Sequence, residues 1–248
     1  MKIITVAIQK GGTGKTTSAA ILAQAAAHKG LKVLAIDLDP QGNLSFALGA
    51  DPAAETGTAY NMLTGRPAAE CVQTTAQGLD IIPADRDLAT ITSGTGSARR
   101  LQRALEPIKE SYDLIIIDTP PTAGELLFNA LMAANGLVIP LEADAYNLQS
   151  LYQMTDTARQ IQEANTDLQI TGFILTKFVD ARTKFGRQLR DMMTEQAAGH
   201  GIPCLGAVRY TIAVKEAAGL QKSLFSYAPH STAAEDYMEI YEHIAQEV

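Results

Sequence analysis

Tryptophan is missing from this chain of 248 residues, and Phe and Tyr bring the aromatic share to only 6%. The core must be built from aliphatic side chains, and abundant alanine suits helices that lie close against a sheet. Cysteine is scarce as well. Cys71 and Cys204 stand far apart, with no CxxC pair or Cys/His cluster near either. That argues against a disulfide framework or a zinc site and for two ordinary thiols in a reducing compartment. No apolar run approaches the roughly 20 residues that a membrane helix needs. The first strand starts at Lys2, so no signal peptide is expected and the location is expected to be cytoplasmic. Positive charge is in deficit: 20 Lys and Arg against 27 Asp and Glu leave a net charge of −7. Such a balance excludes wholesale coating by nucleic acid but not a local basic patch.

What remains is an ordinary globular composition, 46% apolar and 19% charged, long enough for one α/β domain and too short for two comfortable ones. Residues 1–248 are therefore taken as a single domain. Short apolar runs at 3–8, 33–37, 79–83, 114–118, 137–140, 170–175 and 204–208 read as buried strands. Helical patterns at 15–28, 99–110, 124–134, 148–163, 183–198 and 232–246 alternate with them. Strands without internal polar alternation, separated by helices, imply an α/β fold: a mostly parallel twisted sheet with helices on both faces. Ligands in such sheets bind beyond the C-terminal strand ends.

The first such end carries Lys10-Gly11-Gly12-Thr13-Gly14-Lys15-Thr16-Thr17. Gly14-Lys15-Thr16 matches the end of the phosphate-binding pattern G-x-x-x-x-G-K-[ST], between a strand and a helix as that pattern requires. Gln9 stands where the first glycine belongs, and Gly11 and Gly12 supply the flexibility instead. Closely spaced glycines let the backbone wrap phosphates with its N–H groups inward, and the following helix adds its positive dipole end. Lys15 is expected to reach the β- and γ-phosphates, and the Thr16 hydroxyl to ligate Mg²⁺. Apolar strand then Asp at 115–118 is a Walker B arrangement, in which Asp118 would hold Mg²⁺ beside Thr16. Asp37 and Asp39 are two apart at another strand end, so both point to one side.

The second lysine makes the loop distinctive. Gln9-Lys10-Gly-Gly-Thr-Gly-Lys15-Thr-Thr resembles the loop of the ParA/MinD family of deviant Walker ATPases, P-loop NTPases that bind ATP and Mg²⁺. The likeness extends to 37–43, 115–121, 127–131, 180–183, Glu216-Ala217 and Ala228-Pro229, and so to essentially the whole chain. It is similar in particular to the short chromosomal-type ParA proteins, the Soj group, which lack an N-terminal helix-turn-helix domain. The resemblance implies slow ATP hydrolysis in an ATP-dependent homodimer, with Lys10 reaching across to the partner's nucleotide. Such a lysine neutralises the charge of two facing nucleotides only once the dimer exists. The resemblance also implies that Asp39 orients the attacking water, that Asp37 supports the Mg²⁺ shell or the switch loop, and that 208–211 contact the adenine.

ParA proteins hold non-specific DNA as ATP dimers and are released by a ParB-like activator, which implies nucleoid association and a segregation role here. Such binding is mostly phosphate neutralisation, and Lys177, Arg182, Lys184, Arg187 and Arg190 are the candidates. On a helix over 183–198, Lys184, Arg187 and Arg190 share one face, and Phe185, Leu189 and Met192 another. One departure weakens the DNA reading: two family arginines fall on Tyr210 and Ala213, leaving Arg209, Lys215 and Lys222 as substitutes. A ParA-like ATPase that positions a protein cargo is the alternative. A MinD-like membrane role is disfavoured by the acidic stretch at 235–248, and an iron–sulfur electron carrier by the lack of paired cysteines.

Overall fold

The computed structural model describes residues 2–51, 53–94, 97–144, 147–178 and 183–247. From the N-terminus, β1 (Lys2–Val6), α1 (Lys15–His28) and β2 (Val33–Asp37) are followed by short helices α2 (Asn43–Leu48) and α3 (Ala59–Leu63). Then come β3 (Gln73–Thr74), β4 (Asp80–Ile82), α4 (Arg100–Leu105), β5 (Leu114–Asp118) and α5 (Glu125–Ala133). The second half holds β6 (Gly136–Glu142), α6 (Leu148–Gln162), β7 (Gln169–Phe178), α7 (Lys184–Ala198) and β8 (Cys204–Arg209). Helices α8 (Ala213–Gly219), α9 (Leu224–Tyr227) and α10 (Thr232–Glu247) close the chain.

The strands form one eight-stranded sheet in the order β3-β4-β2-β5-β1-β6-β7-β8. Every pairing is parallel except that of β3 with β4, which lies at one edge. Side chains alternate across the central strands and divide the core in two. Ile3, Leu34, Ile36, Ile115 and Ile117 pack with α3 to α7, whereas Ile4, Val33, Ala35 and Ile116 pack with α1, α2 and α8 to α10. The mostly parallel α/β architecture expected from the strand and helix runs is thus observed. Parallel pairing brings Val6, Asp37 and Asp118 to one edge: Val6 and Asp37 each lie opposite Asp118 on adjacent strands.

Two helical expectations need correction. The run at 99–110 yields only α4, flanked by 3₁₀ turns at Ser97–Arg99 and Lys109–Ser111. Pro107 stops the α-helix, because its ring removes a donor and crowds the preceding turn. Helix α7 begins at Lys184 with Thr183 as its N-cap, the Thr183 hydroxyl accepting from Gly186 N at 2.9 Å. Its inner stripe is Gly186, Met193 and Ala197, with Leu189 and Met192 half-buried, while Phe185 is 67% exposed. By spacing Phe185 lies on the same side of α7 as Leu189 and Met192, but in the first turn its ring is exposed rather than packed.

Candidate functional site

Between β1 and α1 the chain turns through left-handed backbone at Gly12 (φ +79°) and Gly14 (φ +89°). A side chain at either position is strained, and a Cβ at Gly14 would also lie 3.4 Å from Thr176 Cγ2. Helix α1 starts at Lys15 with no acidic residue in its first turn, so its free N–H groups and positive dipole end are not neutralised locally. The Lys15 ammonium is buried and donates to the Lys10 carbonyl at 2.7 Å. Burial pulls its pKa down, and the charges of Asp118 and Asp39 act against that shift. Thr16 and Thr17 follow, both half-buried.

Asp118 is fully buried, and neither carboxylate oxygen has a hydrogen-bond partner among the described residues. Burial raises its pKa well above the ordinary value, and the neighbouring Asp37 charge pushes the same way. The Thr16 hydroxyl and the Lys15 charge offset only part of this. An orphaned buried carboxylate beside a hydroxyl and a phosphate loop is a donor set that fits Mg²⁺, a hard cation bound through few protein oxygens. Among the described residues no group of three or more His, Cys, Asp or Glu forms a cage for a metal by itself.

Asp37 sits differently. Its Oδ2 accepts from Ser45 N at 2.8 Å and Ser45 Oγ at 2.7 Å, and its Oδ1 accepts from Asp39 N at 3.1 Å. Burial still lifts its pKa to about 6 against these donors. With both oxygens engaged by the loop that follows β2, the geometry favours loop holding over metal ligation for Asp37. Ser45 in turn accepts from Ala84 N at 2.9 Å, tying this loop to the end of β4.

The carboxylate of Asp39 accepts from Gln41 N at 3.0 Å and borders a cavity of about 460 Å³. Pro120, Pro121, Thr122, Gly124 and Glu125, from the segment after β5, line the far side. A second cavity, of about 220 Å³, brings Gly14 and Thr17 together with Thr176, Lys177 and the stretch 208–211. The structure so places 208–211 beside Gly14 and Thr17 of the phosphate loop.

Lys10 is exposed, and its Nζ donates to Asn147 Oδ1. Asn147 is buried and anchors itself by donating from Nδ2 to the Glu142 carbonyl at 2.9 Å. Nothing in the local sequence singles out Asn147, since it lies 137 positions from Lys10 and meets it only in the fold. Ser45 was equally unmarked.

Of the basic candidates, Lys184 and Arg187 are exposed on α7, and Arg190 is paired with Asp191 at 2.9 Å. Arg182 lies outside the described residues. Arg209, one of the basic residues near the family's arginine positions, is held in an ion-paired clasp. It donates to both oxygens of Asp236, at 2.6 Å from Nη2 to Oδ1, and to Glu235 at 3.2 Å. Tyr210 is 49% exposed, with Lys215 Nζ 5.9 Å from its ring centroid, and Ala213 begins α8. No helix among the described residues is long and apolar enough to cross a membrane.

Comparison with known proteins puts this geometry in context. Residues 1–170 match the family described as an AAA domain. The chain is 36% identical to the sporulation initiation inhibitor protein Soj of Bacillus subtilis, with 98% of each chain covered. The chain belongs to the ParA/MinD family. The chromosome-partitioning ATPase Soj of Thermus thermophilus is 35% identical over 99% of this chain and 96% of its own. The ATP complex of McdA from Cyanothece has the same ParA/MinD-type fold, with a TM-score of 0.85 at 25% identity over 99% of this chain and 95% of that one. The protein is accordingly a Soj-like member of a family of P-loop ATPases.

Proposed function

We propose that this ParA/MinD-family protein binds ATP and hydrolyses it slowly as a homodimer that acts as a timed switch in DNA segregation. The observation that carries this reading is Asp118, a fully buried carboxylate whose charge only the Thr16 hydroxyl and Lys15 offset, beside the phosphate loop. Backbone N–H groups from 11–17 and the α1 N-terminus cradle the phosphates, and Lys15 exchanges its bond to the Lys10 carbonyl for phosphate oxygens. Thr16 and Asp118 would hold Mg²⁺, which neutralises charge on the β- and γ-phosphates. Asp39 orients the attacking water by accepting its proton, and Asp37 holds the Asp39 backbone in place. Lys10 leaves Asn147 to reach the partner's phosphates, so charge neutralisation is complete only in the dimer. The exposed Lys184 and Arg187 begin a DNA-facing surface, and a ParB-like activator would end the bound state.

A second reading is favoured by one observation. Arg209 is neutralised by Asp236 and Glu235, and Tyr210 and Ala213 stand at the family's arginine positions. Those replacements fit an ATPase dimer that positions a protein cargo with little DNA binding.

Both readings meet in one experiment on the Asp39→Ala protein. It is expected to bind ATP, dimerise by light scattering and hydrolyse at least 100-fold more slowly, on the order of what removing a water-positioning group costs. Random-sequence duplex DNA should then bind with ATP only, and less tightly as salt rises. Undiminished turnover sinks the role of Asp39. An ATP dimer that ignores DNA at low salt moves the function to a protein cargo.

A further inference from the structure

Strand β7 contains an irregularity at its C-terminal end. Leu175 pairs with Ala207 and Phe178 with Arg209, so β7 advances three residues while β8 advances two. The extra residue belongs to a β-bulge, and within it Lys177 adopts φ +53°, in the left-handed region that a non-glycine residue rarely occupies. In a regular strand, consecutive side chains point to opposite faces. Here they do not. The Thr176 hydroxyl donates to the Thr13 carbonyl at 2.7 Å, and the Lys177 ammonium donates to the Gly12 carbonyl at 2.5 Å. Two neighbouring side chains, brought to one side at the bulge, therefore hold two successive carbonyls of the phosphate loop.

The consequence for the loop follows from peptide planarity. The carbonyl of one residue and the N–H of the next point in opposite directions across a trans peptide. Drawing the Gly12 and Thr13 carbonyls toward β7 aims the N–H groups of Thr13 and Gly14 away from it. The anchored carbonyls cannot swing inward to repel an anion. Glu142 lies 3.7 Å from the Lys177 ammonium, but both side chains are nearly half exposed, and such a pair contributes little. Among the described residues, the bond to Gly12 is the short contact that accompanies the strained backbone. Lys177 and Thr176 also line the 220 Å³ cavity shared by Gly14 and Thr17.

We propose that Lys177 is a positioning residue of the nucleotide site: a cis-acting third lysine that holds the phosphate loop in its anion-binding conformation. This inference rests on the nucleotide-binding reading above and reassigns Lys177 from the DNA-facing group to the phosphate loop.

The test compares Lys177→Met, Lys177→Arg and Lys177→Gly by titration with Mg-ATP and Mg-ADP, with thermal melting of each nucleotide-free variant. Loss of one charge-assisted bond is expected to weaken both nucleotides about tenfold in Lys177→Met, and Lys177→Arg should restore most of that. Lys177→Gly separates backbone from ammonium. Glycine takes a positive φ freely, so this variant should melt no lower than the wild type yet bind nucleotide as poorly as Lys177→Met. Turnover at saturating ATP should fall less than affinity does. Wild-type ATP affinity in the Met and Gly variants, with Lys15→Ala unable to bind, overturns the assignment of Lys177 alone. The same holds if only DNA affinity drops. Wild-type ATP affinity in Lys15→Ala overturns the nucleotide reading itself.

Discussion

Asp37 and Asp118 lie opposite one another on adjacent strands, each with no exposed surface. Both are pushed toward protonation, chiefly by burial. The sign of the resulting stability term is the reverse of that for a salt-bridged carboxylate. The folded value for Asp37 is about 6 against an ordinary 3.8, so between those values the folded chain binds more protons than the unfolded one. Stability from this group is present at the acidic end of that window and lost as pH rises through it, by about 3 kcal/mol in all. Asp118 works in the same direction, with only the Thr16 hydroxyl and the Lys15 charge to offset it. Asp118→Asn is therefore expected to raise the stability of the nucleotide-free protein by roughly 1–3 kcal/mol at neutral pH and to flatten its decline with pH, while ending Mg²⁺-dependent hydrolysis. Chemical denaturation at several pH values, with an ATPase assay alongside, checks both halves. A variant less stable than wild type at neutral pH would show that the Asp118 charge is already compensated without nucleotide.

At the level of elements, β8 and α10 are joined by a clasp in which Arg209 N and the Arg209 guanidinium both donate to Asp236. Asp236→Ala removes these acceptors. Because the Arg209 side chain is 39% exposed, water replaces part of the loss, and destabilisation of about 1–2 kcal/mol is expected in thermal denaturation. No loss at all would mean that α10 docks through Tyr237, Ile240 and Ile244 alone. The same elements show how much could be read in advance. Helix α1 begins and ends where the sequence places it, because left-handed Gly14 and Gly30 bracket an alanine-rich run. Strands β2 and β5 end at Asp37 and Asp118 as their apolar runs imply. Helices α2, α3, α8 and α9 are too short to display a period, so nothing in the chain marks them out. The β7 bulge was hidden for another reason. Register depends on the partner strand, so Lys177 reads as one more basic residue until β8 is placed beside it. The loop role of Asp37 required Ser45, which reaches it only through the turn into α2.

Across the whole molecule, an acidic chain carries its conspicuous cations at one sheet edge, with Lys10, Lys15 and Lys177 all in or against the phosphate loop. Lys10 is the member whose resting bond must break if it is to serve a second copy. Asn147→Ala removes that bond without touching the phosphate loop, and in the ATP-bound Asp39→Ala background it should tighten the dimer. Ultracentrifugation would read the change, and an unaltered dissociation constant would show that leaving Asn147 costs nothing. The size of the effect follows from symmetry. A two-fold assembly repeats every local event, so a bond of about 1 kcal/mol given up once in each subunit enters the association constant as its square, roughly 30-fold. In the proposed dimer, one buried asparagine amide would set the protein concentration at which pairing begins, and small changes beside it would be doubled in the logarithm.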